Sequence, residues 1–154
     1  MKAVHLIFAL VALAFAAPAR AQNVAEYFAA PVAHERAERP LQLSGASLLD
    51  VMKSLLGARR SPSGFRGPWC GDVLGYVAKR VGASVPRDYR LARAWARAGR
   101  PTYAHAGAVF VMPHHVGVIA EVSGRWVRLV SGNHGKQVAY GWYSIGRSIA
   151  IRQV

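Results

Sequence analysis

The sequence contains little cysteine and little acid, and both shortages narrow the chemistry that it can perform. Cys70 is the only cysteine in 154 residues, so it is a free thiol and no CxxC pair is present. Asp and Glu together number 7, against 20 Lys and Arg. The acids nearest the cysteine and the later histidines are Asp72 and Glu121, which are not paired as glycoside hydrolysis requires. The pattern therefore disfavours a lysozyme-like mechanism and directs attention to the thiol.

Beyond the N-terminus the sequence has no apolar run long enough to cross a membrane, and the run at the start has the layout of a secretion signal. Lys2 gives a positive start, residues 4–17 are almost wholly apolar, and residues 19–21 form an A-x-A cleavage site. We predict a signal peptide over residues 1–21 that is cut before Gln22, and hence export to the periplasm or the medium. The rival interpretation is an uncleaved N-terminal anchor, although this run is short for a stable membrane span.

The chain is strongly basic. Removing Lys2 and Arg20 with the signal peptide lowers the formal charge from +13 to +11. A basic exported protein meets peptidoglycan and other anionic cell-envelope polymers, and we expect these as its partners. The sequence has no base-stacking motif or recognition-helix pattern, so nucleic acid is not expected. We expect a monomer without a cofactor.

The rest of the chain divides into a short lead-in and one domain. Residues 22–43 are rich in alanine without a clear period and are predicted to be poorly ordered, whereas residues 44–154 suffice for one small domain. Apolar spacing predicts helices over residues 44–56, 68–81 and 86–98. Ser47 is the expected N-cap of the first helix. The third helix is expected to bury Leu91, Ala94, Trp95 and Ala98.

After Gly99 the pattern changes to short β-branched segments separated by turn residues. These segments predict five strands, over residues 108–112, 116–122, 126–131, 138–142 and 148–152. Helices followed by a run of strands argue for an α+β fold, in which N-terminal helices pack on a small antiparallel sheet.

Cys70 is predicted to stand in the first turn of the second helix, where a thiol gains reactivity. A free thiol in an exported protein calls for a reason, because oxidising compartments favour paired cysteines. The positive end of the helix dipole favours the thiolate, and the free backbone N–H groups of the first turn can hold an oxyanion. The alternative is that Cys70 is a small buried hydrophobe on an amphipathic helix.

Two adjacent histidines, His114 and His115, compete for the role of general base. Strand alternation directs them to opposite faces. Both faces are apolar in the residues that follow, so alternation alone does not choose between them.

The register of the following hairpin favours His115. If residues 123–125 form a three-residue connection, His115 lies opposite Asn133 on the same face, and Ile119 aligns with Leu129. Asn133 then holds the imidazole through one nitrogen while the other faces the thiol. Two alternatives remain open: a two-residue turn sends Asn133 to the other face, and Asn133 can also be an ordinary turn residue.

Further side chains are candidates for the site without a decisive pattern. His134 is an alternative orienting residue or lies at the rim. The substrate groove is expected to draw on four aromatic residues, each with core packing as its alternative: Trp69, Tyr89, Trp95 and Tyr103. A metal site is conceivable at Cys70, His114, His115 and His134. It lacks HxH, HExxH or CxxC spacing, so no metal is predicted.

Four segments resemble those of bacterial papain-like cell-wall hydrolases. They are Pro68-Trp69-Cys70-Gly71 at a helix start, Gly107-Ala108-Val109-Phe110-Val111, His115-Val116-Gly117-Val118-Ile119, and Gly132-Asn133-His134. Together they resemble the CHAP group, the cysteine, histidine-dependent amidohydrolases and peptidases, and its NlpC-type relatives. NlpC-type members typically carry aspartate where this chain has Trp69. Many CHAP members carry an acid after the histidine, where this chain offers Ser131 and Asn133.

The resemblance implies a papain-like, NlpC-like domain over residues 44–154. It implies an exported amidase or endopeptidase that cleaves an amide bond of peptidoglycan through a thioester on Cys70. His115 is then the general base and Asn133 the orienting residue. Two alternatives stay open: a non-catalytic module of the same fold that binds cell wall or lipid, and an acyltransferase.

Overall fold

The computed structural model describes residues 46–154, so the predicted signal peptide and lead-in, residues 1–43, lie outside the described residues. Two α-helices come first, α1 (Leu48–Ser54) and α2 (Cys70–Arg80), and a 3-10 segment follows at Ala92–Arg97. The strands are β1 (Arg100–Pro101), β2 (Val109–Val111), β3 (Val116–Ser123), β4 (Trp126–His134), β5 (Gln137–Ser144) and β6 (Ala150–Gln153). A second 3-10 segment, Ile145–Arg147, lies between β5 and β6.

The strands form one antiparallel sheet in the order β1-β6-β2-β3-β4-β5. The five predicted strands are all present, and β1, two residues long, is one that the sequence pattern did not indicate. Helices followed by an antiparallel sheet confirm the α+β prediction. Neither helix in this part of the chain has the length and apolar content that a bilayer crossing requires.

The first helix begins at the predicted cap. The Ser47 hydroxyl accepts a hydrogen bond from the backbone N–H of Asp50 at 3.1 Å, which satisfies one free donor of the first turn. α1 buries Leu48, Val51 and Met52. It is shorter than the predicted helix over residues 44–56, since it ends at Ser54. Leu55 beyond that point is half-buried and Leu56 is exposed.

The second helix packs on the sheet through an apolar face. Val73, Leu74 and Val77 have no exposed surface, and burial of each such side chain contributes about 2 kcal/mol to folding. On another side of the helix, a Cβ added at Gly71 would lie 2.4 Å from the carbonyl oxygen of Tyr89. Only glycine allows this close approach, which brings the chain after α2 back against the first turn of the helix.

The third predicted helix is wrong as an α-helix. The structure has turns up to residue 91 and then a 3-10 segment, in which Ala92, Trp95 and Ala98 are buried. These residues recur every third position, the period of a 3-10 helix, whereas the predicted stripe used a period of 3.6. Leu91, assigned to that stripe, is 58% exposed.

The sheet carries an apolar core on each face, as strand alternation requires. On one face, valines of the central strands pack with α1, α2 and Trp95. On the other face, Phe110, Ile119 and Leu129 pack with residues of the loops, including Ile145. The polar groups that are candidates for chemistry gather where β3 begins and α2 starts, and so they rest on two packed elements.

Candidate active site

Cys70 is the first residue of α2 and is 4% exposed. The residue before it, Trp69, occupies the N-cap position but makes no side-chain cap hydrogen bond. The first-turn N–H groups are therefore not capped by a side chain at this position, and they surround the thiol.

The protonation of the Cys70 thiol is set by two opposing influences. Burial raises the pKa of the thiol, while the backbone N–H groups of Val116, Gly71 and Cys70 itself act to lower it. Burial prevails, so the thiol is protonated at neutral pH. The Cys70 sulfur therefore lies near the backbone N–H of Val116. Val116 is the first residue of β3 and follows His115 in the chain.

His115 immediately precedes β3, and its ring is held by a buried serine. Its Nε2 lies 2.8 Å from the hydroxyl oxygen of Ser131, a β4 residue with no exposed surface. Burial, with smaller contributions from His134 and Arg147, lowers the pKa of His115 from 6.5 to about 4. The imidazole is therefore neutral at neutral pH, so both the Cys70 thiol and the His115 imidazole are uncharged.

The hairpin between β3 and β4 reaches the predicted register by a different route. Ile119 aligns with Leu129, which confirms that part of the prediction. The turn itself has two residues, because Ser123 pairs with Trp126, so the predicted three-residue connection is wrong. A β-bulge between Ile119 and Glu121 inserts the one extra residue that restores the alignment.

Asn133 does not receive the hydrogen bond of His115 that the sequence led us to expect. Its backbone is left-handed, with φ of +57°, and the pairing of β4 with β5 shifts between Ser131 and His134. The Ser131 hydroxyl instead lies 2.8 Å from Nε2 of His115, and the irregularity that follows it means that strand alternation does not carry on to Asn133. The structure thus assigns the contact with the His115 ring to Ser131.

The rings of three residues form one cluster: His115, His134 and Tyr143. The Nδ1 atom of His134 lies 2.9 Å from the Tyr143 hydroxyl, and the ring centroid of His115 lies 6.4 Å from that of His134 and 5.9 Å from that of Tyr143. The Arg147 guanidinium carbon stands 5.7 Å from the Tyr143 ring centroid. His134, predicted as an orienting or rim residue, therefore belongs to the same ring cluster as His115 and is held there by Tyr143.

Tyr143 and Arg147 were missed by sequence reasoning. Burial raises the pKa of Tyr143, Arg147 opposes the rise, and Cys70 adds to it, so the thiol lies within electrostatic range of this phenol. The signal was available in part, since Tyr143 follows the predicted fourth strand in the same β-rich stretch. The prediction ended that strand at residue 142, two residues before β5 ends at Ser144.

The four aromatic residues proposed for the groove have different positions. Trp69 is 7% exposed and covers β4, since a Cβ added at Gly132 would lie 2.8 Å from its ring. Trp95 has no exposed surface and belongs to the core, where its indole N–H donates to the Tyr89 carbonyl at 2.7 Å. Tyr103 is 77% exposed and stacks near His105 at 5.1 Å.

Tyr89 is a packing residue of α2. A Cβ added at Gly75 would lie 2.2 Å from the Tyr89 ring, so the ring rests directly on the helix. Of the four aromatic candidates, Trp69 is thus the one that adjoins the thiol. Within residues 46–154, no group of three or more His, Cys, Asp and Glu side chains could hold a metal ion.

Comparison of the sequence with protein-family models and with curated proteins finds no match in either.

Proposed function

We propose that this protein is an exported thiol hydrolase that cleaves an amide bond of peptidoglycan through a thioester on Cys70. The observation that carries the proposal is a thiol at the start of α2 that lies near the backbone N–H of Val116. Val116 follows His115 in the chain, and Ser131 holds the neutral imidazole of His115. A nucleophile, an adjacent base and a third group that orients the base are the parts that covalent acyl transfer needs. The fold proposed for this arrangement is papain-like, of the NlpC-like kind.

Attack on the substrate begins from a neutral pair. His115 accepts the thiol proton as the Cys70 sulfur bonds to the amide carbonyl carbon, so charge separates only when substrate is present. The base needs a free lone pair on Nδ1, and this tautomer has its proton on Nε2. Nε2–H then donates to the Ser131 hydroxyl oxygen, which lies 2.8 Å away. Ser131 thereby selects the tautomer that serves as base.

The oxyanion that forms on the carbonyl is received by backbone N–H groups. Those of Cys70 and Gly71 already act on the sulfur, and they belong to the positive end of α2. Collapse of the tetrahedral intermediate expels the amine, which takes the proton from the His115 imidazolium. A water deprotonated by His115 then attacks the thioester carbonyl and releases a carboxylic acid and the free thiol.

Peptidoglycan is proposed as the substrate because of charge and export. The chain carries a formal charge of +13 and begins with the layout of a signal peptide, so it meets anionic wall polymers after export. The resemblance to CHAP and NlpC-type hydrolases points to the same amide bonds.

Digestion of purified peptidoglycan tests the proposal. We expect wild-type protein to release amidase or stem-peptide fragments, identified by mass spectrometry, and Cys70→Ala to release none. Circular dichroism and a thermal melt of both proteins exclude unfolding as the cause of the loss. Equal fragment release by the two proteins would exclude Cys70 as nucleophile, and addition of an amine acceptor would reveal acyl transfer by its amide products.

A non-catalytic wall-binding module is the second candidate, and the burial of Cys70 with its raised pKa favours it. The two candidates differ in thiol reactivity. A hydrolase admits iodoacetamide to Cys70 in the folded state, and wall fragments protect the thiol from it. A binding module pellets with the wall while its thiol is alkylated only after unfolding.

A further inference from the structure

A cavity of about 500 Å³ adjoins Trp69, and three arginines line it: Arg59, Arg60 and Arg66. We call it the arginine cavity. Its other lining residues are Ser61, Gly64, Phe65 and Trp69. Trp69 immediately precedes the proposed nucleophile in the chain, with a Cα–Cα separation of about 3.8 Å between such neighbours.

The loop that forms this cavity, residues 57–69, is anchored by a buried carboxylate. Asp72 has no exposed surface, and its Oδ2 accepts hydrogen bonds from the hydroxyls of Ser61 and Ser63. Its Oδ1 accepts from Nε of Arg90 at 3.0 Å. Burial acts to raise the pKa of Asp72, but these hydrogen bonds outweigh it and the pKa is lowered, so the anchor stays charged.

Both ends of the loop are fixed as well. Near its start, the N–H of Gly57 donates to the Val138 carbonyl at 2.9 Å, and the N–H of Val138 donates to the Ala58 carbonyl at 2.8 Å. Near its end, the Phe65 ring lies over Gly67, and the Arg90 guanidinium stands 4.6 Å from the ring centroid. The three arginines therefore project from a preorganised loop, which lowers the entropy lost on binding.

The three guanidinium groups have no acidic partner within residues 46–154. The ion pairs of this part of the chain join Arg90 to Asp72 and Arg128 to Glu121. A concave site with three unneutralised guanidinium groups and an aromatic wall attracts an anion of planar, forked geometry.

We propose that the arginine cavity binds a carboxylate of the substrate residue next to the scissile amide. This inference rests on the proposed function and names its substrate class: an amide whose neighbouring residue carries a free carboxylate. The cavity volume accommodates one amino-acid residue with its hydration, and Trp69, one of its lining residues, immediately precedes Cys70 in the chain. Amidation of the carboxylate removes the charge that the arginines recognise.

The test measures binding without catalysis, on the full chain with Cys70→Ala. The probes are N-acetyl-alanyl-D-glutamate and its uncharged counterpart N-acetyl-alanyl-D-glutamine amide, titrated by calorimetry at low salt. We expect the acid to bind at least about tenfold more tightly than the amide, in keeping with charge-assisted pairing, and to weaken as salt is raised. Equal affinity for the two probes overturns the proposal.

A matched pair of triple variants locates the site. Arg59→Gln, Arg60→Gln and Arg66→Gln together should remove the preference for the acid. The control carries Arg87→Gln, Arg93→Gln and Arg97→Gln, three exposed arginines outside the cavity lining, and should keep the preference. Loss of the preference in the control alone, or in both triple variants, overturns the assignment to this cavity.

Inorganic phosphate distinguishes the carboxylate from a phosphate-bearing polymer. Phosphate that displaces the acid at equal concentration would overturn the carboxylate assignment in favour of a phosphate group. Because the binding experiment uses a chain without the thiol, it is independent of hydrolysis. If Cys70→Ala binds the acid selectively and the wild type releases no wall fragments, the cavity assignment is supported and the hydrolase is rejected. If the wild type releases fragments and Cys70→Ala binds both probes equally, the hydrolase is supported and the cavity assignment is rejected.

Discussion

Two buried polar side chains hold the two halves of the candidate site, and only one of them is charged. On the loop side, Asp72 is ionised and bound to two hydroxyls and to Arg90. On the strand side, Ser131 is neutral and holds a neutral imidazole. The comparison teaches that a buried charge is kept where three donors compensate it, whereas Cys70, His115 and Ser131 are uncharged at rest.

The difference has a chemical consequence. A permanent carboxylate beside His115 would favour imidazolium and an ion pair with the thiol. Because residue 131 is serine and the site is buried, the proposed proton transfer from the Cys70 thiol to His115 occurs only when substrate is bound. The charged half can meanwhile hold the arginine cavity rigid without perturbing the protonation of the thiol.

The largest expected effect separates the two neighbouring histidines. We expect His115→Gln to lower the rate of peptidoglycan cleavage by about a thousandfold, because it removes the proposed general base. The matched control is His114→Gln, since His114 is exposed and next in sequence. Initial rates of fragment release measure both, and a control as impaired as His115→Gln would contradict the assignment of the base.

Removal of the charged anchor is the next largest effect. Asp72→Ala should lower the free energy of unfolding by about 3 kcal/mol, because the mutation leaves the buried Ser61 hydroxyl without its acceptor and Arg90 without its partner. Glu121→Ala removes the acid of an exposed pair and should cost less than about 1 kcal/mol. Urea unfolding compares the two, and equal losses would show that the loop does not depend on Asp72.

The buried imidazole of His115 makes the free energy of unfolding depend on pH between about 4 and 6.5. The pKa of His115 is lowered to about 4, whereas the unfolded chain binds the proton near 6.5, so the unfolded state binds more protons between these values. Stability should therefore fall as pH drops from 6.5 to 4, by about 2 kcal/mol after allowance for the part of the ring that solvent reaches. His115→Gln should remove this dependence, and a pH profile of the wild type that matches the variant would refute the burial of a neutral imidazole.

A smaller effect distinguishes the two residues that compete for the orienting role. Ser131→Ala should lower kcat by about tenfold, the cost of one orienting hydrogen bond of roughly 1.4 kcal/mol, while Asn133→Ala should leave kcat nearly unchanged. A larger loss with Asn133→Ala would restore Asn133 as the orienting residue.

The acid limb of the kcat/KM profile sharpens the same comparison. It should lie near pH 4 in the wild type, where the free His115 titrates. Ser131→Asp should move it to higher pH, because a carboxylate favours the imidazolium. An acid limb that does not move would show that residue 131 does not act on the base.

The sequence predicted those features that depend on local chemistry. The five strands, the Ser47 cap and the position of Cys70 in the first turn of its helix follow from periodicity and capping rules. The alignment of Ile119 with Leu129 was reached for the wrong reason, because the chain combines a shorter turn with a bulge. Bulges depend on the packing of both faces, and no local pattern in this hairpin indicates one.

Features that depend on distant residues could not be predicted. The 3-10 segment replaces a helix because Arg90 turns toward Asp72 and Tyr89 packs on the glycines of α2, contacts between separate segments. The choice of Ser131 over Asn133 depends on a second irregularity, at the end of β4. The arginine cavity could not be predicted, because it forms only when residues 57–69 fold back on Asp72.

The most direct test of the central claim, a thioester on Cys70, is partition of the acyl group between water and hydroxylamine. Wild-type protein digesting peptidoglycan in the presence of hydroxylamine should yield fragments that end in a hydroxamate, and their share should rise with hydroxylamine concentration. Cys70→Ala should yield no fragments under the same conditions. Fragments from the wild type that carry only carboxylate ends at every hydroxylamine concentration would contradict a thioester intermediate.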